Sequence, residues 1–454
     1  MPQTGRPSAL SRLAERIERA LHGLGAATSI EDVESAAIFV HECMSRRGRI
    51  FHSVEHAIVV SNSSDPAQAI AGIFHDIVYW QVDGGIVDKV AELVGPAIEI
   101  DGEEVRVAKT APDSSSDLAL VMEIFGFTPG QELGVYGGRN EFLSALVALR
   151  VTGRDLSIKA KARIATAVEA TFPFRKSDAN GSPLERLHTR LTRASEILGL
   201  GMTADEIFAA TVAGQEISHR DLSSFGQRDP GRFLDNTWQL IPETTFALRT
   251  RAYYTCNEYR AALDRMERFL SNLDPELVFM RFRGQPSDEI WTERTEAARN
   301  NIAVGARYLR AKLVAAYTVE AFAVASGGDA PVSLFMGDLP DGTPLLHLED
   351  FLPQNPPVVS KDRDPVVERL LVDGRTKDTD FDLKHAPLAA YIYRGLGSQL
   401  TDQFLATVRQ SISAEDRLRA LPAEIRTVVA EAVQKLAPTR AKRIGEVIQR
   451  LERN

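Results

Sequence analysis

The sequence predicts an all-α protein, and three observations carry that prediction. Apolar residues recur at spacings of three and four, the signature of one helical face, through most of the 454 residues. Turn-forming clusters interrupt the pattern at Asp83-Gly84-Gly85, Gly137-Gly138 and Asp178-Ala179-Asn180-Gly181. Ser29-Ile30-Glu31-Asp32 has the composition of a helix N-terminal cap.

The elements follow in chain order. Leu10, Leu13, Ile17, Leu21 and Leu24 make one amphipathic face. A helix from the Ser29 cap runs to about Met44 and stops at Arg46-Arg47-Gly48, and another begins around His52 and His56. Ala67 to Trp80 is a strongly apolar helix, followed by helices over 140–151, 158–171, 183–198 and 204–217. Ile98 to Val107 is polar and β-branched and fits no helical pattern. Long helices are expected over 246–273 and 292–324. Residues 326–384 are rich in Gly and Pro, and there Val332–Phe335 and Pro344–Leu348 are expected to pair as a short β-hairpin. Helix resumes after Lys384 and ends in a basic amphipathic segment, 440–453. The turn-rich run Arg283-Gly284-Gln285-Pro286-Ser287-Asp288 suggests a boundary between a catalytic domain, 1–283, and a mostly helical region, 284–454.

Composition narrows the function classes. Apolar content of 44% and charged content of 25% are those of a globular chain. A net charge of −9 argues against a dedicated nucleic-acid or anionic-membrane binder. It leaves room for a small anionic substrate, because a bound metal reverses the local field. Cys43 and Cys256 are too few and too far apart for a disulfide framework or a zinc ribbon. No secretory signal and no membrane-length apolar run is visible, so a soluble, cytoplasmic protein is expected.

The chemistry concentrates in one constellation. His75-Asp76 lies in the apolar run Ala71-Gly72-Ile73-Phe74-His75-Asp76-Ile77-Val78-Tyr79-Trp80, where an imidazole and a carboxylate are costly to bury without a partner. His52 and His56, four residues apart, precede it and would share a helix face. Imidazole with carboxylate suits zinc, iron, manganese or nickel better than calcium.

These segments resemble the HD superfamily of metal-dependent phosphohydrolases, a helical-bundle fold. The nearest branch has an Arg-x-Tyr-His-x-x-x-His start, read here as Arg49-Ile50-Phe51-His52 through His56. Its Phe-His-Asp-x-x-Tyr helix is Phe74-His75-Asp76-Ile77-Val78-Tyr79, and its Asn-Glu-x-x-Ser-Ala helix is Asn140-Glu141-Phe142-Leu143-Ser144-Ala145. Its closing aspartate matches Asp221 in Ser218-His219-Arg220-Asp221-Leu222-Ser223. The likeness covers roughly residues 45–225 and nothing beyond. Phe51 stands where the branch has Tyr, 98–138 is an insertion, and the family's His after its Ile-x-x-Thr helix is missing before Phe172-Pro173-Phe174-Arg175.

The resemblance implies a divalent ion (Mn, Fe, Zn, Ni or Mg) on His56, His75, Asp76 and Asp221. It implies hydrolysis of a phosphate ester, of a nucleotide or similar small metabolite, by metal-activated water. Glu141 is a candidate general base or water-orienting group. Arg49 and Arg220 are candidate phosphate clamps, and His52 a ligand, a ligand's partner or a phosphate contact. Two alternatives stand beside this reading. One is a nucleotide-binding sensor or scaffold without turnover, whose C-terminal helices contact a partner or form a homodimer. The other is a di-iron oxygenase of the same fold, which needs further histidines from among His52, His188 and His219. His347 has no ligand-spaced partner and is expected to be structural.

Overall fold

The computed structural model describes residues 5–102, 104–249, 253–339, 345–411 and 413–453, and the chain divides into two units. The first comprises Met1–Gly226 and Asp274–Glu296, the second Gln227–Leu273 and Ala297–Asn454. This replaces the single boundary expected at 283/284. The turn-rich run there is no linker. Phe282 and Gln285 exchange two main-chain hydrogen bonds of 2.9 Å around Arg283 and Gly284, both at positive φ. Phe282 is fully buried in the first unit's core. A tight turn anchored by a buried ring has the same composition as a linker.

The first unit is helical, as its periodicity predicts. α1 (Ala9–Gly23) starts at Ser8, whose side chain accepts from the Ser11 amide, and buries Leu13, Ile17 and Leu21. α2 (Ile30–Met44) carries the expected capping box between Ser29 and Asp32. α3 is Val54–Val60. α4 (Pro66–Phe74) is capped by Asp65 with Pro66 in its first turn, and every residue from Ala67 to Phe74 is buried. A helix apolar on all sides belongs at the centre of a bundle, and α4 packs against α1, α3, α8 (Arg139–Thr152), α9 (Ile158–Ala170) and α11 (Ala204–Asp221). Each fully buried Ile or Phe on it contributes about 1.5–3 kcal/mol.

α4 is shorter than its apolar run suggests. It ends at Phe74, and the chain turns through 75–79 before α5 (Trp80–Asp83). α6 (Asp88–Val94) follows. The unassigned segment 98–107 is an antiparallel pair, β1 (Ile98–Asp101) with β2 (Glu104–Val107), in the register Ile98 to Val107 and Asp101 to Glu104. α7 (Asp117–Phe125) completes the insertion, and α10 (Pro183–Ile197) packs against α7, α9 and α11.

The second unit holds α12 (Pro230–Glu243), α13 (Cys256–Asn272) and most of α14 (Asp288–Gly327). The hairpin expected at 332–348 is not formed by its first strand: Ser333–Met336 is a helical turn, α15, which buries Phe335. Its expected turn, 340–344, lies outside the described residues. α16 (Pro365–Val372), α17 (Pro387–Val408), α18 (Ala414–Arg419), α19 (Ala423–Leu436) and α20 (Ala441–Arg453) follow. Among the described residues the only sheet is β1–β2, so the fold is all-α with one short hairpin in the first unit. No helix among them is long and apolar enough to cross a membrane. Both cysteines are free and buried.

Candidate metal centre

His56 lies in the first turn of α3, His75 caps the end of α4, Asp76 follows it, and Asp221 is the last residue of α11. One ligating atom from each lies within 4.8 Å of all the others. His75 Nε2 is 2.8 Å from Asp76 Oδ2 and 3.4 Å from Asp221 Oδ1. His56 Nε2 is 3.1 Å from Asp221 Oδ1 and 3.5 Å from Asp76 Oδ2. The four sequence-predicted ligands therefore converge. Two adjacent helical residues would point about 100° apart. Ending α4 at Phe74 frees Asp76 to turn back beside His75.

Three groups hold that turn. Arg49, with its side chain wholly buried, donates to the main-chain carbonyls of Asp76 and Ile77, the latter at 3.1 Å, and pairs with Asp83 at 2.6 Å. Ser144 of α8 accepts the Val78 amide at 3.1 Å. Asn140 accepts the Trp80 amide at 3.2 Å and donates to Gln81 at 2.9 Å. The Asn-x-x-x-Ser spacing of α8 thus satisfies one amide of the turn after α4 and one at the start of α5.

Gly72 sets the approach of α4 to α3. A Cβ there would lie 2.6 Å from Ser61 Cα, so a side chain would push the helices apart. The Gly72 carbonyl also takes the His75 Nδ1 hydrogen at 3.0 Å. That bond makes Nδ1 the donor to the carbonyl and points Nε2 at Asp76 and Asp221.

A divalent cation fits these residues. Nε2 of His56 and of His75 are both buried and make no hydrogen bond, although carboxylate oxygens lie beside them. Two imidazole nitrogens and two carboxylates are a donor set for a transition metal. Burial opposes protonation of both imidazoles, but Asp76 and Asp221 outweigh it and raise both pKa values, His75 well above its usual range. Burial is likewise overcome at the carboxylates. Asp221 falls to about 2 through His56 and His75, and Asp76 falls well below its ordinary value.

Glu141, in the first turn of α8, feels the charges of the same group. Burial pushes its carboxyl up to about 7, against its own main-chain hydrogen bond, and the charges of Asp76 and Asp221 add to the rise. His52 stands at the edge of the group, Nε2 3.9 Å from Asp76 Oδ2, with its ring edge-on to Tyr79 at 4.6 Å.

Both arginines bond the scaffold around the centre. Arg49 spends its donors on the 76–77 carbonyls and Asp83, as given above. Arg220 donates to the Val60 carbonyl at 3.0 Å and to Gln68 at 2.5 Å, tying α11 to α3 and α4. The sequence reading missed Asp83 and Gly72, since each sits in a run that reads equally as turn or core. His219 is engaged at both nitrogens, with the Met280 carbonyl at 2.8 Å and Arg294 at 2.8 Å, and burial lowers its pKa to about 4. His188 lies against Phe282 and Arg283. His347, in the second unit, bonds the Asp338 carbonyl at 2.9 Å, a structural contact. Among the described residues no other group of His, Cys, Asp and Glu converges as these four do.

No family model, no curated protein and no solved structure matches this chain.

Proposed function

We propose that the first unit is a metal-dependent phosphohydrolase of the HD type. Its substrate would be a phosphate ester of a nucleotide or similar small metabolite. The observation that carries this reading is the convergence of His56, His75, Asp76 and Asp221 from three separate segments, with one ligating atom of each within 4.8 Å of the others. These four would hold a divalent ion, which when bound lowers the pKa of water from about 16 toward about 7 and polarises a phosphoryl group.

The chain's own residues supply the rest. Glu141, with a pKa near neutrality, is matched to take a proton from the attacking water and to release it afterwards. His52, at the edge of the group, would donate toward a phosphate oxygen or a leaving group. Arg49, Asn140 and Ser144 keep Asp76 in place. Opposing the di-iron alternative is the engagement of His219 at both nitrogens and the packing of His188 on Phe282.

The test is a screen of metal-loaded protein against nucleotides, cyclic dinucleotides and generic phosphate esters, read as phosphate or monoester product. Turnover that falls at least ~100-fold in Asp76→Ala supports the proposal. Turnover equal in the two proteins, or tight nucleotide binding without turnover, overturns it.

A further inference from the structure

The second unit contains a cavity that the metal centre does not involve. It offers about 110 Å³ to the centre of a water-sized sphere. Cavities need only ~10–15 Å³ on this measure to hold one water, and one of ~150 Å³ accepts benzene. The space is smaller than that, so it suits a molecule of no more than about six heavy atoms. Much of its wall is apolar, with Ala316 and Val319 of α14, Met336 of α15 and Leu388 of α17.

Two polar groups in the lining are unmet. Lys312 is 5% exposed, and its ammonium pairs with Asp382 Oδ2 at 2.5 Å. That oxygen also accepts the Trp238 indole hydrogen at 2.6 Å. An ammonium carries three donors, and no second acceptor takes one from Lys312 among the described residues. It lies instead near the ring faces of Trp238 and Tyr259, at 5.3 and 5.9 Å. His385 Nδ1 is buried beside the same space and makes no hydrogen bond among the described residues. Buried donors left this way cost stability, which a bound acceptor would recover.

The charge balance selects the acceptor. Asp382 already neutralises Lys312, so a second buried anion would stand uncompensated at high cost. An uncharged carbonyl oxygen has two lone pairs and brings no charge. We propose that this cavity binds a small, apolar, uncharged carbonyl compound, its oxygen on Lys312 and His385 and its hydrocarbon against Ala316, Val319, Met336 and Leu388. The second unit is then a ligand-binding module in its own right.

The experiment is calorimetric and ligand-observed NMR titration of the full chain with 2-pentanone, butanoate and pentane, probes of similar size that differ in the acceptor. The ketone is expected to bind saturably, at least ~10-fold tighter than either of the others. Lys312→Met should reduce it to the pentane level. Because that change leaves Asp382 unpaired and can unfold the unit, Ala316→Leu, which only fills space, provides a second variant. It should weaken all three probes at least ~10-fold while the circular dichroism spectrum stays unchanged. No saturable 2-pentanone binding, equal affinity for the three probes, or binding indifferent to Ala316→Leu would each overturn the proposal.

Discussion

Arg49 donates to the main-chain carbonyl of Asp76, the residue whose carboxylate lies 2.8 Å from His75 Nε2. A fully buried guanidinium with Asp83 as its counter-charge thus holds a ligand by its backbone. Arg49→Met would leave Asp83 buried and unpaired and would release the turn at 75–79. Metal affinity is expected to fall ~10–100-fold and the melting temperature to drop. Titration with Mn²⁺ followed by thermal unfolding checks both. A phosphate-binding Arg49 would instead raise KM and leave metal affinity intact.

Metal affinity should rise with pH through neutrality. In the metal-free protein the carboxylates raise the pKa of His56 and His75 against the opposing effect of burial, so each imidazole keeps its extra proton to a higher pH than a free one and an ion must displace it. The sign follows: fewer protons at higher pH means tighter binding. Calorimetry in two buffers of different ionisation enthalpy should show proton release, up to ~2 per ion at pH 7. Uptake of protons, or none moved, would contradict this.

Glu141→Gln separates binding from chemistry. With metal loaded, turnover should fall ~100- to 10,000-fold while metal affinity changes little. Without metal the stability effect has the opposite sign. The folded pKa of about 7 lies above the ordinary carboxyl value, so this group's contribution is fully present near pH 4 and is lost as pH rises through about 7. Glu141→Gln should therefore melt several degrees above wild type at pH 8 and level with it near pH 4, by calorimetric scans.

Gly72→Ala tests the packing that brings α4 onto α3. The added methyl would meet Ser61 backbone at 2.6 Å, which cannot swing aside as a side-chain tip can. A destabilisation of about 1–3 kcal/mol is expected in denaturant titrations, with weaker metal binding because His56 and His75 separate. An unchanged midpoint would show that the helices have room to spare.

The sequence made the helices legible because their apolar spacing repeats over many turns, as in α1 and α9. The four converging residues were legible because imidazole and carboxylate inside apolar runs demand a partner. The turn after Phe74 was hidden, since Ile77 and Val78 continue the apolar run and the groups that end the helix come from Arg49 and Ser144, far away in sequence. The same blindness assigned Arg49 and Arg220 to substrate. An arginine beside a ligand looks alike in sequence whether it faces the site or the scaffold. The interleaved boundary was hidden because a turn such as Arg283-Gly284 carries no mark of the buried Phe282 that anchors it.

The central claim is that His56, His75, Asp76 and Asp221 together hold one ion. Metal content per chain, measured on protein reconstituted with Mn²⁺ and desalted, tests it most directly, with Asp76→Ala and Asp221→Ala treated identically. One ion per wild-type chain and well under half an ion in each variant is the expected result. Equal metal content in all three proteins would contradict it.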